Sequence, residues 1–302
     1  MPRFSVGALV TAPLILMAAS TGYVESIQKW QHERDAKLRS ADSWLTLAGL
    51  FWLKQGDNTI GTASSNDFVV QAGAAPARIG RLHVDGNKVL FTTLDGPAVK
   101  VDGKPVTSTV ELKHDADDNS SIVSAGSISF YVIERDGKLG LRAKDSQSPV
   151  LKNFRGMTYF PINPAFHFDA KFVPEAKKIP ILDVLGLSSL QDSPGIVEFV
   201  YQGKTYSLRP IFEGQTLFFL FKDPTNKTKT YQAGRMLNTP LPHDGKVDLD
   251  FNHSYNPPCT FTPYATCPLP PRENTLPIPI EAGELRYGKG HVEAFPGETA
   301  ER

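Results

Sequence analysis

The stretch Ile128–Asp145, ISFYVIERDGKLGLRAKD, indicates the fold class of the chain. Apolar and polar residues alternate in two runs, one on each side of Asp136-Gly137. Alternation with a period of two is typical of β-strands. Asp-Gly accepts the positive backbone angles that tight hairpin turns require. The stretch therefore predicts two antiparallel strands joined by a tight turn.

The same combination of strand-like runs and Asp-Gly turns recurs along the chain. Four further dipeptides have this composition: Asp85-Gly86, Asp95-Gly96, Asp102-Gly103 and Asp244-Gly245. Frequent turn signals between short strands are typical of sandwiches and barrels. A helical pattern occupies only residues 23–42, and no helices alternate with the strands. We therefore predict a mainly β fold, an antiparallel β-sandwich or barrel with one N-terminal helix.

The first 22 residues differ in composition from the rest. Arg3 is followed by the uncharged stretch FSVGALVTAPLILMAAS, which ends in small residues. This order is typical of a cleaved signal peptide, and the apolar stretch is shorter than a membrane-spanning helix requires. We predict a signal peptide at about residues 1–22, a periplasmic or secreted protein, and no stable membrane span after cleavage. An uncleaved anchor is the alternative.

Length and charge limit the domain organisation and the classes of partner. A chain of 302 residues has room for one large or two ordinary domains. After the signal peptide we predict a first region, residues 23–147, with the helix and a β-sandwich, and a second β-rich region, residues 148–302. The chain has 32 basic and 32 acidic residues, which argues against a general nucleic-acid binder. The predicted partner is an unknown small molecule, glycan or peptide.

The stretch Leu249–Asn274, LDFNHSYNPPCTFTPYATCPLPPREN, contains both cysteines of the chain. In an exported protein, two cysteines are most often joined, so we predict a disulfide between Cys259 and Cys267. Prolines would stiffen the same loop. Buried free thiols, metal ligands and a catalytic cysteine are the alternatives. The sequence contains neither of the spacings common at zinc sites, His-x-x-x-His and Cys-x-x-Cys. We therefore predict no metal and no cofactor.

Polar residues next to this loop are the candidate site. Strand alternation places Asp248, Asp250 and Asn252 on one face, with Leu249, Phe251 and His253 on the other. Our leading hypothesis is a binding or envelope-associated module whose ligand contacts the following residues: Asp250, Asn252, Tyr255, Asn256 and Arg235. Alternatively, these side chains hydrogen-bond the proline-rich backbone, which has few donors of its own.

A hydrolase is the competing hypothesis, and whether the protein is an enzyme stays open. Its candidate catalytic residues are Asp250, His253 and Glu284. His253 would act as a general base, or Asp250 and Glu284 would form an acid–base pair of the kind used in glycoside hydrolysis. The sequence assigns no reaction and no substrate.

Four stretches together resemble an uncharacterised, mainly bacterial family, the domain of unknown function 1684. They are residues 43–61, SWLTLAGLFWLKQGDNTIG, residues 221–235, FKDPTNKTKTYQAGR, the stretch Leu249–Asn274, and residues 280–284, IEAGE. The resemblance implies no activity, cofactor or catalytic residue.

Residues 58–137 are also similar to a forkhead-associated domain in their order of strands and turns. Thr62 occupies the position of that family's arginine. The serine and histidine of its phosphothreonine pocket have no clear counterparts. The similarity therefore implies a shared fold and no phosphopeptide binding.

Overall fold

The computed structural model describes residues 12–70, 75–94, 99–117 and 119–288, with only the backbone for residues 12–20. The helices are α1 (Ala12–Leu38) and the single turn α2 (Pro149–Lys152). The strands before α2 are β1 (Leu47–Trp52), β2 (Gly56–Gly61), β3 (Phe68–Val69), β4 (Gly80–Asp85), β5 (Lys88–Thr93), β6 (Val99–Val101), β7 (Lys104–Pro105), β8 (Val110–Leu112), β9 (Val123–Ala125), β10 (Ile128–Arg135) and β11 (Lys138–Asp145). Those after α2 are β12 (His167–Leu182), β13 (Ser188–Tyr201), β14 (Lys204–Leu208), β15 (Ile211–Glu213), β16 (Thr216–Phe221), β17 (Arg235–Pro240) and β18 (Lys246–Asp250).

Strands β1 to β11 form a sandwich of two sheets. One sheet has the order β1-β11-β10-β9-β6-β7 and the other the order β3-β2-β4-β5-β8. Alternate side chains from both sheets, such as Leu82, Phe91, Phe130 and Leu141, pack into one buried apolar core. Every pairing between these strands in the described residues is antiparallel except the short pair β2–β3, and an isolated parallel bridge joins His114 to Val132. The predicted mainly β, antiparallel fold class is confirmed.

The Asp-Gly dipeptides form the tight turns that the sequence predicts. Asp136 and Gly137 have φ angles of 51° and 71° between β10 and β11. Asp102-Gly103 and Asp244-Gly245 also have positive φ at both residues, and Gly86 turns the chain between β4 and β5. Asp95-Gly96 lies outside the described residues.

The second half contains a four-stranded sheet, β14-β13-β12-β18, and a three-stranded sheet, β15-β16-β17. Val197, Phe219, Leu249 and Phe251 belong to the apolar core that these sheets share. Strands β12 and β13 form a long hairpin with a register shift between Pro174 and Lys177. The division of the chain at residues 147 and 148 stays a prediction.

Helix α1 packs against the second half of the chain. Leu38 is buried in a cluster with Phe154 and Phe261, and the Asp35 carboxylate accepts a hydrogen bond from the Met157 backbone N–H. No helix within the described residues is long and apolar enough to cross a membrane. Residues 1–11 of the predicted signal peptide lie outside the described part of the chain, and its cleavage stays a prediction.

Candidate binding cleft

A cleft of about 1100 Å³ lies where helix α1, the sandwich and the second half of the chain meet. Helix α1 and the segment after it supply Trp30, Arg34 and Trp44, and the sandwich supplies Tyr131 and Lys144. From the second half come residues that belong to or follow three strands, β15, β17 and β18: Glu213, Asn238, Asp248, Asp250, His253 and Tyr255. Ligand sites favour such junctions between structural units. Three candidate residues of the sequence, Asp250, His253 and Tyr255, therefore line one cavity.

Asp250 is fixed at the end of β18 by hydrogen bonds to both of its carboxylate oxygens. Oδ1 accepts from the backbone N–H of Asn252 at 2.9 Å, which caps a 3-10 turn over residues 251–253. Oδ2 accepts from the Tyr23 hydroxyl of helix α1 at 2.8 Å. The residue is only 4% exposed. Asp250 thus attaches the helix to the strand, while the neighbouring Asp248 presents an exposed carboxylate to the cleft.

His253 does not follow the predicted strand alternation, because the chain leaves β18 at Asp250 and makes the 3-10 turn. Leu249 and Phe251 lie in the core as predicted, but the turn brings the His253 ring into the same cleft as Asp250. Its Nδ1 lies 3.6 Å from Asp250 Oδ2, and its ring meets Trp30 edge-on at 5.0 Å. Burial lowers the pKa of His253, so the ring is neutral at pH 7 and can accept a proton.

Asn252 and Asn256 lie beneath the surface and are held by the protein itself. Asn252 Nδ2 donates to Asp250, the Tyr23 hydroxyl and the Asn163 carbonyl. Asn256 Nδ2 donates to Glu284 Oε2 and the Leu285 carbonyl. These residues are 2% and 0% exposed. The two amides therefore have almost no exposed surface with which to make the predicted ligand contacts.

Glu284 is fully buried and lies outside the lining of the cleft. Oε1 accepts from Arg34 Nε at 2.9 Å, and Oε2 accepts from the backbone N–H of Asn256 at 2.7 Å. The Arg34 guanidinium lies 4.7 Å above the ring of Tyr255. Arg34 and the Asn256 backbone bind the two oxygens of the Glu284 carboxylate, and Glu284 does not line the cleft that Asp250 lines. The structure therefore does not bring Asp250 and Glu284 together as the predicted acid–base pair.

Arg235 is an internal residue with no exposure of its side chain. Its Nη2 donates to Asp223 Oδ2 at 2.7 Å and to the Ile280 carbonyl at 2.8 Å, and Nη1 donates to the Ala282 carbonyl. Burial lowers the pKa of Arg235 and the Asp223 charge opposes that shift. The guanidinium holds the segment near residue 281 against the sheets, and its side chain has no exposed surface for the ligand contact that the sequence predicts.

Tyr255 is the predicted ligand residue whose ring lines the cleft. Its hydroxyl donates to Asn238 Oδ1 at 2.6 Å, and burial raises its pKa. The hydrogen bond and the Arg34 guanidinium above the ring fix its orientation before any ligand arrives. Its aromatic face is therefore a preformed surface.

Cys259 and Cys267 correct the sequence prediction, because both are free thiols in the structure and no disulfide joins them. The Cys259 backbone N–H donates to Cys267 Sγ at 3.0 Å. A hydrogen bond with Cys267 lowers the pKa of Cys259, and burial raises that of Cys267. Both thiols are buried with Leu47, Tyr231 and Ala265. Apolar packing, rather than a covalent bond, holds the proline-rich loop.

Several lining residues were not found from the sequence. Trp30 and Arg34 are four residues apart on the predicted helix, so their shared face was a usable signal. Lys144 and Tyr131 lie on the sandwich, where the alternating pattern shows which face they occupy but not that the second half covers it. Lys144 Nζ donates to the Asp42 carbonyl at 2.6 Å and lies 5.7 Å from the centre of the Tyr131 ring. No three His, Cys, Asp or Glu side chains of the described segments converge as metal ligands.

The family model "Protein of unknown function (DUF1684)" matches residues 152–285. This match confirms the predicted resemblance for the second half of the chain. No curated protein matches the sequence.

Solved structures are similar to parts of the chain. An uncharacterised protein of Haloarcula marismortui is 27% identical over 44% of this chain and 78% of its own, with a TM-score of 0.38. The forkhead-associated domain of FhaA, solved with the intracellular domain of Rv3910, is 16% identical over 32% of this chain and 97% of its own, with a TM-score of 0.22. A forkhead-associated domain from a study of phosphothreonine-dependent interactions has the same identity and TM-score.

Proposed function

We propose that the protein binds a saccharide in the cleft. The observation that carries this proposal is the combination of aromatic rings and hydrogen-bonding groups around one open volume. The rings belong to Trp30, Trp44, Tyr131 and Tyr255, and the polar groups to Glu213, Asn238 and Asp248. Sugar rings have apolar C–H faces that pack on aromatic rings, and their hydroxyls bind carboxylates and amides.

The fixed orientation of these side chains supports binding. Trp30 contacts the rings of Tyr159 and His253, and Tyr255 is held between Arg34 and Asn238. Side chains that are already ordered lose little conformational entropy when a ligand arrives. The volume lies at the upper end of the range for small-molecule sites, so it has room for several sugar units.

A glycan array followed by isothermal titration calorimetry tests the proposal. We expect Trp44→Ala to weaken binding about tenfold, because loss of an aromatic contact costs roughly 0.5–1.5 kcal/mol beyond the buried area. Tyr264→Ala is the matched control, since Tyr264 is 37% and Trp44 38% exposed but only Trp44 lines the cleft. An array on which no glycan is bound would overturn the proposal, as would equal losses in the two variants.

A hydrolase that uses the same cleft is the second candidate, favoured by the half-buried and neutral His253 beside Asp250. A neutral imidazole in an open cavity can accept a proton from water. Incubation of the bound glycan with the protein, followed by mass spectrometry, separates the two functions. Products that disappear in His253→Asn would favour the hydrolase, and an intact glycan would favour binding alone.

Export and association with the cell envelope are also part of this proposal. They rest on the composition of the first 22 residues. Amino-terminal sequencing of the protein from its native host is the test. A mature chain that begins near Tyr23 is the expected result, and an intact amino terminus in the cytoplasm would contradict it.

A further inference from the structure

The side of the cleft formed by the sandwich has an unusual arrangement of positive charge. Arg142 and Lys144 are two residues apart on β11 and therefore lie on the same face of the sheet. Tyr131 on β10 is directly opposite Arg142 in the register. This face is turned towards the second half of the chain, since Tyr131 and Lys144 line the cleft and Arg142 contacts Thr266.

Arg142 is a buried cation without a carboxylate partner among the described residues. It is 4% exposed, its Nη2 donates to Thr266 Oγ1 at 2.9 Å, and its Nε has no hydrogen-bond partner. Buried charges in proteins are normally paired, because an isolated one is costly to remove from water. The other two buried arginines of the described residues follow that rule, since Arg235 pairs with Asp223 and Arg209 pairs with Glu175 and Glu273. Arg142 does not.

Lys144 adds a second positive charge at the surface of the cleft, where the Asp42 carboxylate offsets part of it. Its ammonium group has three donors, and the hydrogen bond that the structure shows for it goes to the Asp42 backbone carbonyl. It forms no ion pair with a carboxylate of the described residues. Burial and the nearby Arg142 charge lower the pKa of Lys144, while the Asp42 carboxylate acts in the opposite direction. The lack of an ion pair at Lys144 and the nearby charge of Arg142 both indicate that an anion would be stabilised at this position.

The side of the cleft formed by the second half of the chain carries negative charge. Glu213 and Asp248 are exposed carboxylates there, and Arg34 adds no free charge because Glu284 neutralises it. Carboxylates accept hydrogen bonds from hydroxyl groups but repel anions. A ligand that satisfies both sides carries hydroxyls on one edge and a negative group on the other.

We infer that the cleft selects an anionic saccharide, with its carboxylate or phosphate at Lys144 and its hydroxyls at Asp248 and Glu213. This inference rests on the proposed saccharide binding and names the class of sugar. Arg142, two residues before Lys144 on the same face of β11, adds positive charge next to it. Lys144 is thus a specificity-determining residue that the sequence did not identify.

An array of matched oligosaccharides tests the inference. Each neutral oligosaccharide is printed beside the same chain with a carboxylate or a phosphate at C6, and the pairs that bind are measured by calorimetry. We expect the anionic member to bind at least tenfold more tightly than its neutral parent. The carboxylated and phosphorylated members distinguish the two sources of the anion. Lys144→Met should reduce this ratio to about one.

Two variants guard against a purely structural effect. Lys144→Arg keeps the charge and should keep the preference, whereas Lys138→Met, an exposed lysine on the same strand, should leave every affinity unchanged. A neutral parent that binds as well as its anionic partner would overturn the inference and leave saccharide binding intact. Equal losses for both members in Lys144→Met would also overturn it. Failure of every oligosaccharide to bind would overturn both proposals.

Discussion

The second half of the chain buries more charged side chains than the sandwich, in which Arg142 and Asp145 are buried. The core of the sandwich is apolar, with Phe91, Phe130 and Leu141 fully buried. The second half buries Asp223, Arg235 and Glu284 alongside its apolar core. Burial of apolar groups is non-directional, whereas a buried charge needs a partner at a defined distance and angle.

This difference explains why hydrogen bonds orient the side chains on one side of the cleft, the side formed by the second half of the chain. On the side of the second half, Asp250 and Tyr255 are oriented by hydrogen bonds that continue inwards. On the side of the sandwich, Lys144 and Tyr131 extend from a sheet whose inner face packs in an apolar core. A directional network that reaches the surface can orient side chains for a ligand, and an apolar core supplies the support for it.

The largest expected effect concerns the buried ion pair. Asp223→Asn changes the shape of the side chain very little, but it leaves the Arg235 charge unpaired. We expect it to lower the free energy of unfolding by about 3–5 kcal/mol, measured by urea denaturation. Asp192→Asn is the control, because the pair of Asp192 and Lys178 is exposed and such pairs contribute about 1 kcal/mol or less. Equal losses in both variants would remove the distinction between the two regions.

A substitution that keeps the side-chain volume in the sandwich core should lower the free energy of unfolding less than Asp223→Asn does. Leu141→Met keeps the volume and should cost less than about 1.5 kcal/mol, whereas Leu141→Ala opens a cavity and should cost about 2–5 kcal/mol. Both values come from the same urea denaturation. Leu190→Ala, at a residue that is 65% exposed, should cost roughly 0.5 kcal/mol or less. A loss for Leu141→Met as large as that for Asp223→Asn would mean that the sandwich is equally intolerant of conservative change.

The smallest expected effect is a dependence of stability on pH at the edge of the polar network. Burial lowers the pKa of His253 below its ordinary value of 6.5. Between the two pKa values the unfolded chain binds more protons, so stability falls as the pH decreases from about 6.5 through the folded pKa. Urea denaturation over a pH series should show a shallower fall for His253→Gln than for the wild type. The exposed His243 provides the control variant His243→Gln, and parallel curves for wild type and His253→Gln would contradict the expectation.

Much of the fold could be predicted from the sequence because strands and Asp-Gly turns are local features. Asp136-Gly137 and the alternating runs beside it fix the hairpin of β10 and β11 without reference to the rest of the chain. Only part of the site could be found in this way. Asp250, His253 and Tyr255 are close in sequence and lie in one cleft, but the burial of Asn256 depends on partners almost 30 residues away.

Two of the errors have definite physical causes. A strand pattern was extended through residues 251–253, where Asp250 instead caps a 3-10 turn. The disulfide followed from the predicted compartment, whereas the structure stabilises Cys259 and Cys267 by apolar packing with Tyr231. Arg34 was missed because its partner Glu284 is 250 positions distant, a separation that no local pattern encodes.

The attachment of helix α1 also determines the order in which the molecule can be built. The helix is synthesised first, but its Tyr23 and Arg34 contacts are with residues 227 and 250 positions later. Contacts across such separations form slowly, since the intervening chain must close a long loop. The sandwich can fold while synthesis continues, yet Leu38 of the helix has no complete apolar partner surface until Phe154 and Phe261 of the second half are present. The cleft is therefore completed late in folding, because its last lining residue is Tyr255 and the Glu284 carboxylate that holds Arg34 is synthesised later still.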